Sequence, residues 1–70
     1  MKIVQYLISI VGRGYSETFD NKNDLVAELK YRGLPLTLAD FSGQTFDRYG
    51  MATNHYQNVR VTAYNESAFE

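Results

Sequence analysis

The sequence predicts a small α+β domain: one antiparallel or mixed sheet of four to five strands, with a single helix packed on one face, in the order β-β-α-β-β. Three observations predict this fold. An apolar, β-branched run opens the chain, a segment with helix-capping signals follows, and alternating strand-like segments come after it. Seventy residues are enough for one domain with a small core. We assign residues 1–64 to this domain and residues 65–70 to a mobile acidic C-terminal tail.

The first segment, residues 3–11, predicts a central strand, because both of its alternating faces are largely apolar. Gly12-Arg13-Gly14 then predicts a tight turn, since glycine permits positive φ. Residues 15–19 alternate and predict a second strand. On the first strand we expect the even-numbered set to face the core: Val4, Tyr6, Ile8 and Ile10. A parallel pairing of the first strand with one after the helix is the alternative.

The helix is the most clearly marked element. Gly33, followed by Leu34 and Pro35, predicts its C-terminal end. Glu28 and Arg32 stand four residues apart in the favourable order. Its apolar stripe consists of Leu25, Val26 and Leu29, and its candidate N-caps are Asp20, Asn21 and Asn23.

The pattern after the helix is less regular. Residues 34–43 predict either a short strand or an extended connection, and residues 44–49 predict a strand. Residues 50–57 are polar and predict a loop. Residues 58–64 predict the last strand, and three of its side chains are expected to face the core: Val59, Val61 and Ala63.

Composition excludes several classes of function. The chain has no cysteine and one histidine, so disulfides, thiol nucleophiles and the common zinc patterns are excluded. No metal or cofactor is expected. Serine, histidine and aspartate occur without a recognisable catalytic arrangement, so we expect a protein that is not an enzyme. The net charge of −1 is a poor match to a nucleic-acid binder or to an anionic membrane surface. The predicted location is the cytoplasm.

The candidate contact residues lie mostly on the predicted C-terminal hairpin. On the last strand Arg60, Thr62 and Tyr64 share the outward parity, so the core face is filled and an arginine and a tyrosine point away from it. Arginine and tyrosine are the residue types enriched at energetically important positions of protein interfaces. The predicted partner-binding set is Arg13, Arg48, Tyr49, His55, Tyr56, Arg60 and Tyr64.

In size and composition the chain is similar to many bacteriophage-encoded proteins that block host enzymes or defence complexes; the similarity covers no motif. It implies an inhibitor that acts by occluding a surface of a larger host or cellular protein. From the residues themselves we predict a non-catalytic protein-binding module. The alternative is a weak single-stranded nucleic-acid binder that uses the same arginine and tyrosine row. A free sheet edge also makes a homodimer a candidate.

Overall fold

The computed structural model describes residues 2–70, which form one sheet with an α-helix packed on one face of it. The strands are β1 (Ile3–Ile10), β2 (Tyr15–Phe19), β3 (Met51–Tyr56) and β4 (Val59–Asn65). The α-helix is α1 (Lys22–Arg32), and two short 3₁₀ helices span Leu36–Ala39 and Glu66–Phe69. The predicted α+β class and the order β-β-α-β-β are confirmed.

All strand pairs of the sheet are antiparallel, and the strands lie in the order β2-β1-β4-β3. The parallel alternative is therefore wrong. Strands β1 and β4 occupy the centre, and β2 and β3 form the two edges. The turns of both hairpins lie at the same end of the sheet, where the Val11 amide donates to the Asn58 carbonyl at 2.8 Å.

The core lies between the sheet and α1. Tyr6 and Ile8 of β1 are buried as predicted, and so are all three inward side chains predicted for β4. They pack with Leu25 and Leu29 of the helix. At the start of β1 a bulge shifts the register, so that Ile3 pairs with Asn65 and joins the core cluster, while Val4 does not. The expected inward position of Val4 is wrong because a bulge inserts one extra residue and reverses the parity before it.

Both ends of α1 follow the sequence signals. Asn21 is the N-cap: its side-chain oxygen accepts from the Asp24 amide at 2.9 Å. Gly33 closes the other end with a φ of 68°, and Arg32 pairs with Glu28. Within residues 2–70 no helix is long and apolar enough to cross a membrane.

The segment between α1 and β4 differs from the sequence prediction. Residues 36–39 form a 3₁₀ helix, residues 44–49 contain no strand, and the predicted polar loop at 50–57 contains β3. The reason lies in Asp47, whose Oδ1 accepts from the amides of Tyr49 at 2.8 Å and Met51 at 3.0 Å. These bonds hold residues 47–51 in a turn, because a short side-chain acceptor competes for the backbone donors.

The C-terminal residues continue from the sheet into a short 3₁₀ helix. β4 includes Asn65, which the sequence places in the tail; its side chain is buried and accepts from the Ser67 amide at 2.8 Å. Gly50 packs closely here: its carbonyl accepts from the Asn65 amide at 2.9 Å, and its φ is 79°. The mobility predicted for residues 65–70 stays a prediction.

Candidate binding face

The sheet has one face that carries α1 and the core and one face that carries neither, which we call the open face. Strand partners share a face, so the register identifies its members. The open face consists of Gln5, Leu7, Ser9, Ser16, Thr18, Met51, Thr53, His55, Arg60, Thr62 and Tyr64. Three of the seven predicted contact residues, Arg60, Tyr64 and His55, lie on it.

From the β3–β4 turn to its middle, the open face is built from cross-strand pairs of β3 and β4. His55 lies directly opposite Arg60, and both are exposed. Thr53 lies opposite Thr62, with their hydroxyl oxygens 3.0 Å apart. Such a hydrogen bond fixes the spacing of the two strands, since facing side chains on one face of an antiparallel pair are close neighbours. The arginine and histidine are thus held side by side on a rigid support.

At the far end of β4 the open face meets an aromatic groove of about 600 Å³. Tyr64 lies in it, and Phe69 of the C-terminal 3₁₀ helix packs on Tyr64 with ring centroids 6.1 Å apart. Arg48 and Tyr49 line the same groove. The Arg48 guanidinium donates to the Tyr49 hydroxyl at 2.9 Å and lies 5.1 Å from the centre of its ring. We call Arg48, Tyr49, Tyr64 and Phe69 the aromatic end.

Two members of the aromatic end expose large rings. The exposed fraction is 60% for Tyr49 and 62% for Phe69. Exposed aromatic rings and arginines are side chains whose burial in a protein interface contributes strongly to binding, because the ring supplies apolar area and the guanidinium supplies directed hydrogen-bond donors. Among the described residues Arg48 makes no ion pair, so its charge is available to a partner.

Phe69 was missed by the sequence analysis, which placed it in an acidic tail. The signal that could have found it is the single large apolar side chain among polar neighbours in residues 65–70. Its position depends on the 3₁₀ helix that Asn65 caps, and a helix of four residues leaves no periodicity to read.

The remaining predicted contact residues lie elsewhere. Tyr56 pairs with Val59 and shares its face with Ala52, on the side of the core, so it does not join the open face. Arg13 lies in the β1–β2 turn, at the opposite end of the sheet from the aromatic end. Five of the seven lie on the open face or at the aromatic end: Arg48, Tyr49 and Tyr64 share the aromatic groove, and His55 and Arg60 lie together nearer the hairpin turns.

The charges are unevenly distributed between the two faces. None of the strand residues on the open face is acidic, and Arg60 and His55 are its basic groups. Glu17 of β2 has the opposite parity and its carboxylate accepts from the Tyr15 hydroxyl. Acidic Glu70 borders the aromatic groove. An overall net charge of −1 therefore conceals a strand surface without acidic side chains, whose formal charge is the positive charge of Arg60.

A second groove, of about 640 Å³, lies on the side of the core, between the start of β1 and the segment that follows α1. Tyr6 and Phe41 lie in it with ring centroids 6.0 Å apart, and burial raises the pKa of Tyr6. At its rim Ser42 donates to Asp40 from both its hydroxyl and its amide, and these bonds lower the pKa of that carboxyl. Lys22, also at the rim, lowers it slightly further by its charge.

Comparison with known proteins adds no relative to this description. No protein-family model matches the chain, and no curated protein and no solved structure matches it.

Proposed function

We propose that the chain is a non-catalytic protein-binding module whose contact surface is the open face together with the aromatic end. The observation that carries this proposal is the continuity of the two: Tyr64 belongs to the open face and also lines the groove with Arg48, Tyr49 and Phe69. Apolar rings at one end and basic side chains along the strands form one surface on a rigid sheet.

The composition of this surface favours a protein as partner. Aromatic and arginine side chains supply much of the binding energy at protein interfaces. Between Arg60 and the aromatic end, the hydroxyls of Thr53 and Thr62 already pair with each other, so a partner need not satisfy both of them. The more specific function that we propose, inhibition of a larger host enzyme or defence complex by occlusion, is supported by the similarity in size and composition to bacteriophage-encoded inhibitors.

The test is a quantitative pull-down from bacterial lysate with two matched double variants. Arg60→Glu/Tyr64→Ala alters the open face, and Lys30→Glu/Tyr31→Ala makes the same kinds of change on the exposed surface of α1. We expect the α1 variant to capture the same proteins as the wild type. We expect the open-face variant to lose them at least tenfold, since two central contacts together cost more than 1.4 kcal/mol. Equal capture by both variants would overturn the proposal.

The absence of acidic side chains on the strands of the open face supports a second candidate, a single-stranded nucleic-acid binder. Tyr64 would stack a base and Arg60 would meet a phosphate. Titration of single-stranded DNA and RNA at two salt concentrations separates the candidates. Binding that weakens steeply with salt, and that Arg60→Glu abolishes, would favour nucleic acid over protein. Binding that is absent at both salt concentrations leaves the protein partner as the better account.

A further inference from the structure

We propose that two copies of this chain pair through the outer edge of β3. The two β3 strands run antiparallel about a two-fold axis at Asn54, and two four-stranded sheets become one continuous sheet. The free hydrogen-bonding groups on this edge are complementary to those on the same edge of a second copy. This pairing does not depend on the surface proposed above for another protein.

The backbone of β3 shows which of its groups point outward. In an antiparallel strand the amide and carbonyl of one residue point to the same neighbour, and successive residues alternate. Both backbone groups of Met51 bind Asp47: the Met51 carbonyl accepts from the Asp47 amide at 2.9 Å, and its amide donates to Oδ1 at 3.0 Å. Met51 therefore points away from β4, and by alternation so do Thr53 and His55.

The outward groups of Thr53 and His55 are free in the described part of the chain. Asp47 covers the edge only at Met51. Within residues 2–70, no backbone or side-chain group makes a hydrogen bond to the amide or the carbonyl of Thr53 or His55 on this edge. Unpaired strand groups in a row are a template for another strand. The exposed template spans residues 53–55.

This short template is complementary to itself. When two β3 strands pair about Asn54, Thr53 of one copy lies opposite His55 of the second copy, and the reverse pair is equivalent by symmetry. Each of these pairs exchanges two backbone hydrogen bonds, so all the free groups of both edges are satisfied. Asn54 faces its own equivalent across the axis, and its side chain is neutral. It is held in its own copy by the carbonyls of Leu38 and Asp40.

The other edge of the sheet is less suited to the same pairing. The hairpin of β1 and β2 closes with the pair Ile10 and Tyr15, so the backbone groups of Tyr15 point toward β1. By alternation, the amides and carbonyls of Ser16 and Thr18 point outward from β2. A two-fold axis that pairs both outward positions passes through Glu17. Two carboxylates would then lie directly opposite one another, which is destabilising. Charge therefore favours β3 over β2.

The test uses backbone N-methylation, which a chain of this length allows by chemical synthesis. Methylation at Thr53 removes one outward donor of β3 and leaves the bonds to β4 in place, and methylation at Ser16 does the same on β2. By sedimentation equilibrium we expect the unmodified chain and the Ser16 derivative to reach twice the 8.0 kDa chain mass with rising concentration. We expect the Thr53 derivative to stay at the chain mass.

Circular dichroism shows whether each derivative is folded, and methylation at His55 replaces the Thr53 derivative if that one is not. A chain mass at every concentration for the unmodified protein overturns the proposal. So does a dimer that methylation at Ser16 disrupts and methylation at Thr53 does not.

The register has its own test, because the described chain has no cysteine. Thr53→Cys and His55→Cys variants are oxidised separately and as a mixture. In the proposed register a cysteine at 53 faces a cysteine at 55 of the second copy, and like positions lie on the diagonal. Random pairing of an equimolar mixture already makes the mixed disulfide twice as abundant as either symmetric disulfide, so we expect the mixed disulfide to exceed that proportion. A mixed disulfide at or below that proportion contradicts the register.

Discussion

Gly50 lies against the C-terminal 3₁₀ helix that carries Phe69 of the aromatic end. It has a φ of 79°, a conformation that side chains with a Cβ rarely adopt. A methyl group here would overlap the side-chain oxygen of Asn65 and lie 2.6 Å from the Ala68 amide nitrogen. Neither atom can move freely, since one belongs to a buried side chain and the other to the backbone of the C-terminal 3₁₀ helix.

We therefore expect Gly50→Ala to lower the free energy of unfolding by roughly 2–4 kcal/mol, the sum of left-handed strain and overpacking. Urea denaturation measures it. Gly33→Ala is the matched control, because Gly33 has a similar φ of 68° but no atom within 4 Å of the added Cβ. It should cost only the strain, about 1–2 kcal/mol. Equal losses for the two variants would show that the close approach to Asn65 and Ala68 has no energetic weight.

At the level of elements, the sequence predicted those with strong local signals. The helix had an N-cap candidate, a salt-bridged pair and a C-terminal glycine, and α1 ends where these signals lie. The parity of β4 followed from its valines, which are buried as expected. These elements were predictable because short-range capping and two-residue alternation agree with the tertiary packing.

Strand β3 could not be predicted in the same way. Its sequence, Met51–Tyr56, has polar side chains at both parities, and its core-facing Asn54 is stabilised by two carbonyls from a segment fourteen and sixteen residues away. The alternation of residues within a short segment of sequence does not reveal hydrogen bonds to such distant positions. The candidate face was only partly predictable for the same reason: Arg48 and Tyr49 were placed on a strand, whereas a turn carries them.

That turn yields a prediction about Asp47. Asp47→Ala removes the acceptor of two backbone amides, and we expect it to lower the unfolding free energy by about 1–2 kcal/mol. It should also release the pair formed by Arg48 and Tyr49, which NMR would show as lost contacts between the two side chains. Asp47→Asn keeps an oxygen acceptor and should retain most of both properties. Unchanged stability in Asp47→Ala would mean that Gly50 alone fixes the turn.

For the whole molecule, the strand order determines where stability is concentrated. The first and last strands of the sequence, β1 and β4, are neighbours at the centre of the sheet, so the two ends of the chain must meet before the core closes. Ile8 and Val61 face each other there with no exposed side-chain surface. A chain with so small a core has few independent parts, and the centre should open only when the whole domain unfolds.

Hydrogen exchange tests this expectation residue by residue. The amides of Leu7 and Thr62 point between β1 and β4 by the alternation of the ladder, and we expect them to exchange slowest, with an opening free energy equal to that of global unfolding. The outward amides of Ser16 and Thr18 should exchange nearly as fast as in an unfolded chain. Measured at low micromolar concentration, Thr53 should also exchange fast. Slow exchange of Thr53 that appears only as the concentration rises would come from pairing of β3, whereas slow exchange of Leu7 is independent of concentration because its partner lies in the same chain.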